Sequence, residues 1–127
     1  MDTNQNDNGM LVIRVVAMPA DTNMNGDIFG GWVLSQMDLG GGVAARKYAS
    51  GKFVTAGIKE MAFIKPVAVG DTLCIYAKHI KTGKTSITFH LTAFVTRGGV
   101  GPHEKVTEAD FTYVHIGENG KPTGVIK

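Results

Sequence analysis

Asp38 is the residue on which chemistry in this chain would turn. It is a lone carboxylate in residues 30–49 (GGWVLSQMDLGGGVAARKYA), a stretch that is otherwise nearly all apolar up to Ala45. Between Ile28 and Ala45 only Ser35, Gln36 and Asp38 are polar, so a helix here would be apolar almost all the way round and therefore buried. The i±3 and i±4 spacing brings Leu34, Gly41, Gly42 and Ala45 around Asp38, and three of these are small enough to admit a backbone or a ligand. Gly30 and Gly31 stand where the helix should begin, where backbone N–H groups free of side chains could meet a developing oxyanion. On one helix the acid and these donors lie about 12 Å apart by axial rise, too far to act together on a short substrate. Two antiparallel helices at a dimer interface would join an acid from one subunit to N–H donors from its partner. Asp27, just upstream, reads either as a carboxylate capping the positive end of the helix or as a catalytic group.

A second constellation is TGKTS at 82–86. Gly83, Lys84, Thr85 and Ser86 resemble the second half of a phosphate-binding loop, but Lys78 stands where its first glycine should be and an alternating strand follows. A nucleotide triphosphatase is excluded on those grounds. The residues still form a Gly-containing turn whose N–H groups, cation and hydroxyls could hold a phosphate, but on the residues alone the plain hairpin-turn reading wins. His79, His90, His103 and His115 never fall at metal-ligand spacing, so no metal is expected. No Gly-x-Ser-x-Gly elbow marks Ser35 as a nucleophile. The single Cys74 reads as a small apolar strand residue and suits a reducing cytoplasm.

Elements must position these groups. Residues 10–18 (MLVIRVVAM) read as a first strand closed by Pro19, and PADTNMNGDIF at 19–29 as the loop that delivers the chain to the helix. Gly51 is the expected helix exit. Strands follow at 53–65, 72–81, 86–96 and 105–116, separated by the turn 66–71, by 82–85 and by the glycines of 97–104; residues 86–96 alternate most cleanly. One strand, one long helix and four antiparallel strands make an α+β domain, a sheet wrapped over one helix. Its expected limits are 10–117, with a disordered polar lead-in at 1–9 and a polar tail at 118–127. A chain of 127 residues holds one core, and its formal net charge of +2 with interspersed acids and bases offers no stripe for nucleic acid. No signal peptide is apparent, and the glycines, Gln36 and Asp38 argue against a membrane span, so a cytoplasmic location is expected. A single chain would cover only part of such a helix and leave sheet edges open, which points to a homodimer.

PADTNMNGDIFGGWVLSQMDLGGG, FIKPVAVGDTL and KTGKTSI, taken together, resemble the bacterial acyl-coenzyme A thioesterases of the hotdog fold, over about residues 11–114. The resemblance implies a five-stranded antiparallel sheet around a central helix, dimers as the minimal active unit, and further assembly into hexamers. The chain ends soon after its last strand, short of the C-terminal helix of longer relatives. The resemblance also implies Asp38 as the catalytic aspartate, general base or nucleophile, Gly30 and Gly31 as the helix-start donors, and Asp27 at the position of the family's Asn or Asp. Coenzyme A phosphates would meet Gly83, Lys84, Thr85 and Ser86, and acyl-CoA and CoA would be the only partners, with no separate cofactor. The three glycines after Asp38 depart from bulkier relatives and would widen the acyl pocket. A hotdog dehydratase would need a His and acid pair near the helix, and no His precedes Lys78. A non-catalytic acyl-CoA sensor is the alternative; it could dispense with Asp38.

Overall fold

The computed structural model describes residues 5–125. β-Branched and aromatic residues at period two build strands β2 (Gly9–Val16), β3 (Lys52–Phe63), β4 (Thr72–Thr82), β5 (Ser86–Thr96) and β6 (Glu104–Ile116), with helix α1 (Gly30–Ala45) between β2 and β3. A two-residue strand β1 (Gln5–Asn6) turns back on Met10 and Gly9, so part of the expected lead-in adds a sixth short strand to the expected five. Residues 1–4 of that lead-in lie outside the described residues.

Every neighbouring pair is antiparallel, in the order β1-β2-β4-β5-β6-β3. β2 and β3 therefore sit near opposite edges, and α1 must cross the concave face of the sheet to connect them. That path puts Trp32, Val33, Met37, Gly40, Gly41, Ala44 and Ala45 of the helix into the core. They pack among Leu73, Ile75, Phe89, Leu91, Phe111 and their neighbours. Among the described residues no helix is long and apolar enough to cross a membrane.

Two expectations change. The helix stops at Ala45, and the N–H groups of Lys47 and Tyr48 close tight turns onto Ala44 and Ala45 before the chain reaches Gly51, which carries the expected positive φ of 111°. As expected, a single chain covers only part of the helix: Leu39 is 59% exposed and Val43 41%. The tail at 118–127 is not wholly a free polar extension, because it folds back and buries Val125. There Thr123 N–H donates to His115 O and Val125 N–H to Lys84 O, which supplies the ordering that the tail's composition did not announce. Residues 126–127 lie outside the described residues.

The edge strand β3 is exposed along most of its length, including Val54, Ile58 and Phe63, and two bulges bend it against β6. Glu60 sits in the second bulge with φ 53°, a left-handed conformation costly for a residue with a Cβ. At the opposite side of the sheet, Asp71 ends the turn that precedes β4. Burial opposes its charge, but hydrogen bonds from Ala68 N, Arg97 and Gly98 N outweigh that and hold its carboxyl below the usual range.

Candidate active site

Two clefts flank the helix, one toward each end. The first, of about 290 Å³, is lined by Asp38, Leu39, Gly42, Val43 and Arg46 of the helix and by Phe53, Thr55 and Tyr113 of the sheet. Asp38 is half-buried there, and its Oδ1 accepts a hydrogen bond from Thr55 Oγ1 at 2.5 Å. Thr55 thus fixes one of the two carboxylate oxygens. Tyr113 donates to the backbone carbonyl of Asp38 at 2.8 Å. Burial, then the nearby Asp38 charge and a hydrogen bond with its side chain, push the Tyr113 phenol far above its ordinary value, so it remains a donor.

The three glycines after Asp38 divide their work, and this corrects the expectation that all of them open the pocket. A Cβ on Gly40 would come within 2.8 Å of Val12 Cγ2, so this glycine lets β2 approach the helix. A Cβ on Gly41 would overlap the Tyr113 hydroxyl, so Gly41 seats the ring that bonds Asp38. Gly42 alone lines the cleft with open space beside it.

The second cleft, of about 370 Å³, lies at the helix start and is lined by Ile28, Gly30, Val33, Phe63, Ile64, Lys65, Pro66, Val67 and Val106. No side chain caps the helix; Phe29 occupies the N-cap position, so the Gly30 and Gly31 N–H groups have no intrahelical acceptor. Gly31 is exposed, while the Phe63 ring lies over Gly30, where a Cβ would meet it at 3.1 Å. Asp27 is exposed in the loop before the helix, with its backbone N–H bonded to Asn23 Oδ1 at 3.1 Å; its carboxylate does not cap the helix.

Gly83, Lys84 and Thr85 connect β4 to β5, with Gly83 N–H donating to Ser86 O at 2.8 Å. Register places this turn. Ser86 pairs with Val114, and Val114 with Val54, next to Thr55. The turn therefore shares a sheet end with the Asp38 cleft, separated from β3 by β6. Lys84 is exposed. The structure thus brings Asp38 and the turn to one end and leaves Gly30, Gly31 and Asp27 at the other. Thr55 and Tyr113 went unnoticed in the sequence because each is an ordinary strand residue; alternation along 105–116 was the only signal for Tyr113. Among the described residues no group of three or more His, Cys, Asp or Glu is placed to hold a metal.

Residues 25–101 match the family model described as the thioesterase superfamily. The chain is 50% identical over 117 residues to the acyl-CoA thioester hydrolase YciA of Salmonella typhimurium, covering 90% of this chain and 88% of that protein. Among solved structures it resembles a hexameric thioesterase from Yersinia pestis, with 52% identity, a TM-score of 0.89 and coverage of 94% of this chain and 98% of the other. It also resembles a hexameric hotdog fold thioesterase of Campylobacter jejuni, with 38% identity, a TM-score of 0.85 and coverage of 94% and 92%.

Proposed function

The chain belongs to the thioesterase superfamily and has its hotdog fold, and from that premise we propose that it hydrolyses acyl-CoA thioesters to a carboxylic acid and CoA. The observation that carries the mechanism is the separation of the two clefts. One holds a half-buried carboxylate, the other holds uncapped N–H donors, and about 12 Å of helix lies between them. Both clefts border the open edge of β3 and the exposed apolar residues around it. An antiparallel, two-fold pairing of β3 with its copy would cover that edge and lay the start of one helix beside Asp38 of the other. The homodimer is then the minimal active unit, with two composite sites. Hexameric relatives support further assembly of such dimers.

In each site the thioester oxygen accepts hydrogen bonds from Gly31 N–H, with Gly30 beside it, as negative charge develops on that oxygen. Asp38 Oδ2 acts in one of two ways. As general base it takes a proton from water while the water oxygen bonds to the acyl carbon. As nucleophile it bonds to the acyl carbon itself, and water then cleaves the mixed anhydride. Either way the C–S bond breaks, the sulfur leaves with the electron pair and is protonated, and no metal or redox group is called for. Thr55 holds Oδ1 and so orients Oδ2. The turn Gly83–Ser86 receives CoA phosphates, with Lys84 as cation, and Gly42 and Val43 border the substrate near Asp38. The same assignment leaves Asp27 as an exposed carboxylate at the mouth of the partner's site.

The retained Asp38, with its carboxylate held by Thr55 in an open cleft, favours an enzyme over a non-catalytic sensor. Thiol release from a panel of acyl-CoAs tests the reading. Asp38→Asn should lower kcat about a thousandfold with CoA affinity within a few-fold. Near-normal turnover in that variant would sink the assignment.

A further inference from the structure

His115 lies near the end of β6, is 5% exposed, and has no part in the chemistry above. Its two ring nitrogens each lie 2.8 Å from a backbone carbonyl oxygen: Nδ1 from Gly124 O in the C-terminal segment, and Nε2 from Ser50 O just after the helix. Its backbone N–H donates to Thr85 O at 2.8 Å, and its carbonyl accepts from Thr123 N–H at 2.8 Å. Phe53 stacks on the ring with centroids 4.7 Å apart. Gly51, at φ 111°, lets the chain pass within reach of Nε2, where a Cβ would stand 3.1 Å away. The segment that the ring fastens then bonds the turn directly, through Val125 N–H to Lys84 O. Through its ring and its backbone together, His115 joins three other stretches of chain: 50–53, the turn at Thr85 and the segment 123–125.

We propose that His115, with the 123–125 strap it fastens, is a positioning residue for the CoA-phosphate turn Gly83–Ser86; this rests on the reading of that turn given above. The physical reason lies in peptide geometry. A trans peptide points its C=O and N–H in opposite directions. Holding Lys84 O and Thr85 O against the strap and β6 turns the N–H groups of Thr85 and Ser86 to the far side of the turn. Preset N–H groups bind an anion without first being ordered. The ring acts on the turn through the strap: Nδ1 fastens Gly124 O, and the N–H of the next residue, Val125, bonds Lys84 O.

The test compares His115→Phe, which keeps a ring against Phe53 but removes both nitrogens, with His115→Gln, which retains one amide donor. Lys84→Ala serves as the reference for the turn itself. For acyl-CoA, His115→Phe should raise KM about tenfold with kcat within about twofold, and His115→Gln should fall between it and the parent. For an acyl-pantetheine thioester, which lacks the phosphates, KM should not move. Amide hydrogen exchange at 84–86 should quicken in His115→Phe without substrate. An equal rise of KM for both substrates would mark a general structural defect and overturn the proposal. So would an unchanged acyl-CoA KM in His115→Phe when Lys84→Ala raises it, although the reading of the turn would then stand. If neither variant raises it, both readings fall. If only the His115 variants raise it, the turn binds through its backbone and the proposal holds. Should His115→Phe fail to fold, His115→Gln carries the same comparison.

Discussion

The clefts at the two ends of α1 are built from opposite materials. The one at Gly30 is walled by Ile28, Val33, Phe63, Ile64, Pro66, Val67 and Val106 and offers only backbone donors and one lysine as polar groups. The one at Asp38 holds a carboxylate, a hydroxyl, a phenol and a guanidinium. Each lacks what the other has. The contrast teaches that the helix is a spacer as well as a core element: its length keeps the carboxylate and the uncapped N–H groups apart within one chain, and on the proposed reading it sets the distance a two-fold partner must bridge.

The strongest way to break this comparison is to disable each end separately and mix the products. Gly31→Pro removes an N–H in the first helical turn, where proline is tolerated, and should lower kcat about a hundredfold or more. Together with Asp38→Asn, it yields two nearly inactive proteins. Unfolded and refolded at equal amounts, they should regain about a quarter of parental activity. Half of randomly assorted dimers are mixed, and one of the two sites in each mixed dimer pairs an intact helix start with an intact Asp38. No recovery, with mixed dimers confirmed by native mass spectrometry, would show that each chain carries its own whole site.

A smaller effect sharpens the view of the Asp38 cleft. Gly41→Ala must displace Tyr113 and should cost about 3 kcal/mol by overpacking, read as a lower midpoint in urea. Gly42→Ala, on the next residue, meets nothing and should gain about 0.5–1 kcal/mol through helix propensity. Because it narrows the cleft, the same change should also shift preference among acyl-CoAs. Equal effects on stability at the two positions would contradict the division of labour among the glycines.

The smallest effect comes from a group that borders neither cleft. On the outer face of the sheet, His90 bonds Asp110 at 2.7 Å and Glu108 at 2.8 Å, Lys105 bonds Glu108, and Lys59 and Glu60 line the same hollow. Burial opposes charge on His90, but the two carboxylates outweigh it and raise its pKa above 6.5. The His90 contact, followed by Lys105, lowers Glu108 below 4.5. A raised histidine stabilises fully below its ordinary value and loses that contribution as pH rises through its folded value. A lowered glutamate stabilises above its ordinary value and loses it as pH falls. The Tm difference between parent and His90→Gln should therefore peak at about pH 4.5–6.5 and shrink toward pH 8. Turnover of the variant at pH 8 should match the parent; a large loss would tie this face to the clefts.

Much of this was legible beforehand because it rests on local pattern. Alternation gave 86–96 its observed limits of Ser86–Thr96, and the apolar run with glycines at its start marked α1 and Asp38. Thr55, Tyr113 and His115 were not legible, since each gains its meaning from a residue 17, 75 or 65 positions away. Gly40 and Gly41 were misread for the same reason: small residues beside an acid look like room for ligand until Val12 and Tyr113 are seen to fill it. The order of the polar tail was not legible in its composition, because it comes from backbone bonds to β6 and the turn.

What the sequence by itself determined is the order of elements, one helix that a single chain cannot cover, and the one carboxylate that helix carries. Periodicity and composition suffice for these, because they depend on neighbours within a few residues. Only the tertiary structure decided that the helix start and Asp38 open into separate clefts, that Thr55 occupies one carboxylate oxygen, and that one glycine of three lines the Asp38 cleft. Those outcomes follow from which strand of the sheet passes each turn of the helix, and strand order is set by antiparallel pairing across the whole chain.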